Sequence, residues 1–275
     1  MAVPSAFDRD TAVRRAGDSA YEASLDPSWN VLRGPNGGYV AAIVLRAMAE
    51  ELDAPERPPR SLTLYYPSAP VPGPVGLAVR VERSGRSMST VSARMEQDGR
   101  PAAIALAAFS TAWPGAVEFD HTERRAVPDP EEIEPLERPG LTPPFRQHFE
   151  FRPAIGDPLM SGSDRALSGG WMRPVEPRPL DALLAASLAD AWPPAVFPMA
   201  RERPFPAPTI ELTIYFRAPL PVLGATGEAD WVLGRFESRL ARDGFFEEEG
   251  VIWTRAGEPI VQSRQLALAI AAPPG

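Results

Sequence analysis

Few side chains in this sequence could do chemistry, and the most conspicuous is an acid in a poor structural position. Asp190 ends the segment "ALLAASLAD", which is apolar from Ala182 to Ala189 except for Ser187. The segment reads as a helix over 180–191 that must stop near Trp192, because Pro193 disfavours a helical conformation in the residue before it. Asp190 then lies in the last turn, where the helix dipole opposes a negative charge and burial would raise its pKa. On a helical wheel it falls about 20° from Leu183, at the edge of the leucine stripe. A carboxylate held there is suited to proton transfer. The plain alternative is an exposed acid at a helix end. Asp181, by contrast, lies in the first turn, where a carboxylate is favourable, and reads as structural.

A glutamine is the second candidate. On a strand over 259–270, Gln265 shares its face with Val261, Ser263, Ala267 and Ala269, while Gln262 shares the other face with Arg264. A glutamine among small, inward-facing residues is the better site candidate, and Gln262 remains the alternative. What is missing narrows the chemistry further. The chain has no cysteine and only two histidines, His121 and His148, so thiolate metal sites and histidine-based triads have little to be built from. All 28 basic residues are arginine, which leaves no lysine for a Schiff base. The net charge of −8 argues against a nucleic-acid partner. No cofactor is called for.

These residues must be carried by a repeated framework. "SLTLYYPSAP" at 61–70 matches "ELTIYFRAPL" at 211–220, with Leu62/Leu212, Thr63/Thr213 and Tyr65/Tyr215 identical. "DGRPAAIALAAF" at 98–109 matches "AGEPIVQSRQLA" at 256–267, so that Ala107 is the counterpart of Gln265. A duplicated domain accounts for both matches, with a proline-rich acidic connection between the copies. The expected division is 1–112, a linker over 113–144, and 145–275. Each copy predicts a long apolar helix followed by hairpin-linked strands: 38–51, then 61–66, 75–83, 87–97 and 102–112; and 180–191, then 209–217, 228–240, 244–255 and 259–270. Connections this short make antiparallel sheets. A helix apolar on every side, such as "YVAAIVL", must be enclosed by protein, and a sheet curled around it does this.

Nearly the whole chain resembles the acyl-CoA thioesterase II family of double hotdog proteins. The resemblance is carried by the order and spacing of "NGGYVAAIVLRAM", the stretch from "SLTLYYPSAP" to "PAAIALAAF", "LADAW", "TIELTIYF" and "GEPIVQSRQLAL". It implies an α+β double hotdog, each half a long central helix wrapped by an antiparallel sheet. It also implies hydrolysis of acyl thioesters to free acid and CoA, with Asp190 as the catalytic acid, Thr209 of "TIE" as its threonine and Gln265 as its glutamine if a one-residue gap is absorbed by a bulge. By alternation alone, Thr209 shares a face with Glu211, Thr213 and Tyr215, opposite Ile210, Leu212, Ile214 and Phe216. Asp190 would draw a proton from a water that Thr209 and Gln265 hold, and the water would attack the thioester carbonyl. In such folds the glycines let substrate approach the helix start, so Gly37, Gly38 and Tyr39 are the substrate-binding candidates, with free N–H groups facing the developing oxyanion. The alternative is that the glycines merely start a packed helix.

Two other readings stay open: a non-catalytic acyl-binding or assembly protein, and a thioesterase for acyl groups on a carrier protein. A hotdog hydratase would need a histidine beside the acid, and neither histidine is near the helix. The partner is thus acyl-CoA or a carrier-bound acyl thioester. The opening stretch lacks a signal peptide and no run of about 18 apolar residues occurs, so a cytoplasmic chain without a membrane span is expected. Exposed sheet edges leave a homo-oligomer open. Tyr39, Trp171, Trp192 and Phe197 read as core unless a cavity shows them lining an acyl tunnel.

Overall fold

The apolar stretch after the paired glycines forms a sixteen-residue helix, Gly37–Leu52 (α2), with Gly38 to Leu45, Ala47 and Met48 all buried. It follows a short helix, Ala6–Asp10 (α1), and a third, Ala182–Leu188 (α3), lies in the second half. The computed structural model describes residues 4–136, 142–201, 205–222 and 229–271. Asn36 starts α2 by accepting the Tyr39 N–H on its side chain, and Asp53 in the left-handed region ends it. Among the described residues no helix is long and apolar enough to cross a membrane.

Strands Arg14–Gly17 (β1), Ala20–Leu25 (β2), Pro59–Tyr65 (β3), Gly73–Ser84 (β4), Met88–Gln97 (β5) and Arg100–Ser110 (β6) belong to the first half. The second contributes Phe149–Gly156 (β7), Leu167–Pro174 (β8), Thr209–Phe216 (β9), Val232–Glu237 (β10), Ala241–Arg242 (β11), Phe245–Thr254 (β12) and Pro259–Leu268 (β13). They form one antiparallel sheet in the order β1-β2-β4-β5-β6-β3-β9-β13-β12-β10-β8-β7, with β11 beside β12. The order is a mirror about the β3–β9 junction. There Thr63 pairs with Thr213, Leu62 with Ile214 and Leu64 with Leu212. The two threonine hydroxyls, equivalent in the sequence repeat, meet at 3.0 Å, so a pseudo-twofold axis passes between them.

The halves are not identical. Among the described residues a long central helix occurs only in the first; α3 is seven residues, not the twelve expected over 180–191. Pro193 sets a limit on the helix, but the backbone tightens before reaching it, with the N–H groups of Asp190 and Ala191 donating to Ser187 and Leu188. Asp190 therefore lies just beyond the helix. Asp181 caps its start through the Leu184 N–H and is held by Arg178. The acidic connection is extended rather than detached: Trp171 Nε1 donates to the Pro128 carbonyl, Trp253 Nε1 to Thr122, and Arg255 pairs with Asp129 and Glu131. Its residues 137–141, and residue 228 of the expected strand 228–240, lie outside the described residues.

The glycines are explained by close approach. A Cβ on Gly38 would stand 2.4 Å from the Ser187 carbonyl oxygen, and one on Gly37 would stand 2.9 Å from Asp190 Oδ2. The start of α2 thus rests directly on the end of α3. Gly38→Ala must push the two helices apart, and urea unfolding should show it destabilised by about 2–3 kcal/mol, in the range typical of overpacked cores; a variant as stable as the parent would contradict this contact.

Candidate active site

Asp190 is a carboxylate of the second half held by the first. Its Oδ2 accepts the Gly38 N–H at 3.0 Å and the Asn36 side-chain amide at 3.1 Å, while the same amide also donates to the Asp190 carbonyl at 2.8 Å. Asn36 thus does two tasks, capping α2 with its oxygen and gripping Asp190 with its nitrogen. The expectation that the α2 N–H groups stand free for an oxyanion is corrected here: that of Gly38 is engaged by Asp190. Burial raises the Asp190 pKa to about 6, against the lowering effect of the Gly38 and Gly37 N–H groups and Asn36. The positive end of α2 therefore works against both desolvation and the negative end of α3.

Tyr66, directly after β3, closes the other side. Its hydroxyl donates to the Gly37 carbonyl at 2.9 Å and its backbone N–H to the Ile210 carbonyl. Burial raises its pKa, and the negative charges of Asp190 and Glu211 raise it further. Tyr66 therefore stands between the acid and the start of β9.

On β9 the strict alternation fails. Glu211 pairs with Leu266 but Thr209 pairs with Ala267, leaving Ile210 as a bulge. Skipping one residue reverses the face of everything before it. Thr209 is thereby moved from the outward set, where alternation puts it, to the inward face of Leu212, and its hydroxyl donates to Gln265 Oε1 at 2.8 Å. Gln265 is 6% exposed. Gln262 lies on the opposite face, where its side-chain oxygen accepts from Arg217. Within "QSRQLAL" the register breaks on the β9 side, at Ile210, while β13 carries its own bulge at Ile260, before both glutamines.

A residue not picked out from the sequence completes the cluster. Glu248, in the middle of "EEE" on β12, is 4% exposed and pairs directly with Gln265 across the ladder. Its Oε1 accepts from Gln265 Nε2 at 2.7 Å and its Oε2 from the Ala195 N–H at 2.5 Å. Burial raises its pKa to about 7; the Ala195 and Gln265 bonds lower it, and Asp190 and Glu247 raise it. The signal was present: three glutamates along a strand put the middle one on the face of Phe246, Gly250 and Ile252.

Other candidates lie elsewhere. The Tyr39 side chain is fully buried, stacked on Trp29 at 4.8 Å with its hydroxyl donating to the Asp10 carbonyl, so the aromatic ring belongs to the core. Trp171 and Trp192 are also buried, with their indole N–H groups bonded to Pro128 and Ser168, and Phe197 packs edge-on against Phe205. His148 stacks on Trp29 and bonds Ser28, away from Asp190.

The architecture is of the hotdog class. A hotdog-fold structure from Alicyclobacillus acidocaldarius, of unknown function, superposes with a TM-score of 0.85 at 26% identity, covering 98% of this chain and all of that one. An acyl-CoA thioesterase II from Mycobacterium marinum shares the fold at a TM-score of 0.76 and 22% identity, over 97% of this chain and 99% of its own. An uncharacterised protein of Mycobacterium tuberculosis is 27% identical over 274 residues, 90% of each chain. Residues 25–110 match the acyl-CoA thioesterase N-terminal domain and residues 126–269 the C-terminal domain, and the chain belongs to that family.

A buried carboxylate of raised pKa costs stability when ionised, and the sign can be followed. Below about pH 4 Asp190 is protonated in folded and unfolded chains alike; between about 4 and 6 only the unfolded chain ionises freely, so stability falls, and above about 6 the loss is complete. Asp190→Asn should therefore gain stability relative to the parent as pH rises from 4 to 6, levelling at about 2–3 kcal/mol, as read from denaturant midpoints. A difference independent of pH would count against the buried, perturbed carboxylate.

Proposed function

We propose that the protein hydrolyses acyl thioesters, acyl-CoA first among them, by direct attack of water. Asp190 is the general base, and Thr209 with Gln265 holds the water. The observation that carries the reading is the Asp190 carboxylate itself. It is buried, yet bonded to Gly38 and Asn36 so that it ionises near pH 6, which leaves it a competent base at neutral pH. Asp190 takes one proton of the water as the oxygen adds to the carbonyl carbon. Collapse of the tetrahedral intermediate then expels the thiolate, and the proton on Asp190 returns to sulfur or to solvent.

The two glycines have a changed role in this scheme. With its N–H committed to Asp190, Gly38 acts on the base and not on the substrate. Gly37 keeps the approach to the carboxylate open, since any side chain there would meet Oδ2. Both halves, taken as 1–112 and 145–275 joined by 113–144, contribute to this single site. A protein that only binds acyl groups would have no use for a base tuned in this way, and an acyl carrier protein could present the same thioester in place of CoA.

Free-thiol release from acyl-CoA esters, from acetyl to palmitoyl with branched and aromatic acyls, tests the proposal. The parent should hydrolyse at least one ester, with kcat/KM rising with pH as Asp190 ionises about pH 6. Asp190→Asn should lose about 10²- to 10⁴-fold, the usual contribution of a general base. Gln262→Ala, altered on the outer face, should keep parental turnover. Parental rates in Asp190→Asn would refute the assignment of the base; an inactive parent would direct the search to carrier-bound esters.

A further inference from the structure

Glu248 has no part in the mechanism above, yet it is a buried acid wired to it. Its two oxygens are each taken up: Oε2 by the Ala195 N–H, a donor that cannot turn, and Oε1 by the Gln265 amide. An ionised carboxylate only accepts hydrogen bonds, so Gln265 must offer it the NH₂ group. Its carbonyl oxygen then faces Thr209, and the single proton of the threonine hydroxyl must point to it. The result is a chain of fixed polarity, from Thr209 through Gln265 to Glu248.

We infer that Glu248 is a positioning residue whose ionised carboxylate sets the direction of this hydrogen-bond chain and thereby the orientation of the attacking water. With its proton turned away toward Gln265, Thr209 presents only lone pairs to the site. A water there gives one proton to Thr209 and the other to Asp190, and keeps a lone pair for the carbonyl carbon. If Glu248 carries a proton on Oε1, Gln265 can turn over and present its NH₂ group to Thr209. The threonine hydroxyl is then released toward the water and occupies the lone pair that should attack.

The first half supplies an internal control. By strand register, Val91 and Ala107 occupy the positions equivalent to Glu248 and Gln265, and Pro59 that of Thr209. Val91 and Ala107 are as buried as their counterparts. The same ladder therefore closes without any polar group, and the acid in the second half is not required to build it. Burying an acid that packing does not need costs stability. The charged groups that act on Glu248 are Asp190, from the turn after α3, and Glu247, beside it on its own strand but on the other face, both of which oppose its ionisation.

The inference rests on the hydrolytic reading, and its test separates the two. Glu248→Gln removes the charge but keeps the shape: the new amide must give its oxygen to Ala195 and its NH₂ group to Gln265, which reverses the chain. Thiol release by Glu248→Gln should fall at least tenfold in kcat with KM within about twofold of the parent, and the pH profile should lack the step near pH 7 expected of Glu248 in the parent, leaving that of Asp190. A kcat within twofold of an active parent would overturn the inference and leave the hydrolytic reading intact. A second measurement does not depend on turnover or on that variant. In Asp190→Asn protein labelled with ¹⁵N, the Gln265 side-chain amide, assigned by its absence from an additional Gln265→Ala variant, should shift markedly as pH is lowered from 9 to 5. An amide insensitive to pH over that range would overturn the inference even if no ester is hydrolysed.

Discussion

The negative end of one helix and the positive end of another meet at a single carboxylate. Asp190 follows α3, whose last carbonyls repel it, and it faces the first turn of α2, whose N–H groups attract it. Such a meeting requires the two backbones to touch, which is why Gly38 lies where any side chain would strike Ser187. It also requires the two halves to be fixed in register, which the continuous sheet through Thr63 and Thr213 provides. The enclosed helix, the paired glycines and the shared sheet are thus three conditions for one electrostatic arrangement.

The duplication separates what the fold needs from what it merely carries. Arg60 and Ile210 are bulged at equivalent points of β3 and β9, so the bulge belongs to the framework. The residue it turns inward is Pro59 in one half and Thr209 in the other. The neighbouring inward positions are Ala107 and Val91 on one side, Gln265 and Glu248 on the other. A common backbone with polar groups on one side alone is the pattern expected when those groups answer to something other than packing.

Much of this was legible in the sequence because it depends on local periodicity. The apolar stretch after Gly38, the strand alternations and the 150-residue offset gave α2, most of the strands and the equivalence of Thr63 with Thr213. The burial of Gln265 followed from its small neighbours on alternate positions. The middle glutamate of "EEE" was equally readable by the same rule. What was not readable depends on contacts between distant segments. Pro193 bounds α3 without saying that it ends at Leu188. Nothing local ties Asn36 to Asp190, which lies 154 residues further along the chain. The face of Thr209 turns on a bulge that alternation cannot reveal.

Joining the two halves in one chain has a consequence for how this molecule can change. In an assembly of two identical chains every substitution is copied, so a helix shortened to aim an acid at its neighbour would be shortened twice, and each copy would have to serve as both giver and receiver. Here the long α2 and the short α3 divide those tasks between them. The first half can specialise as the support, the second as the bearer of polar groups, and a change that suits one is never imposed on the other.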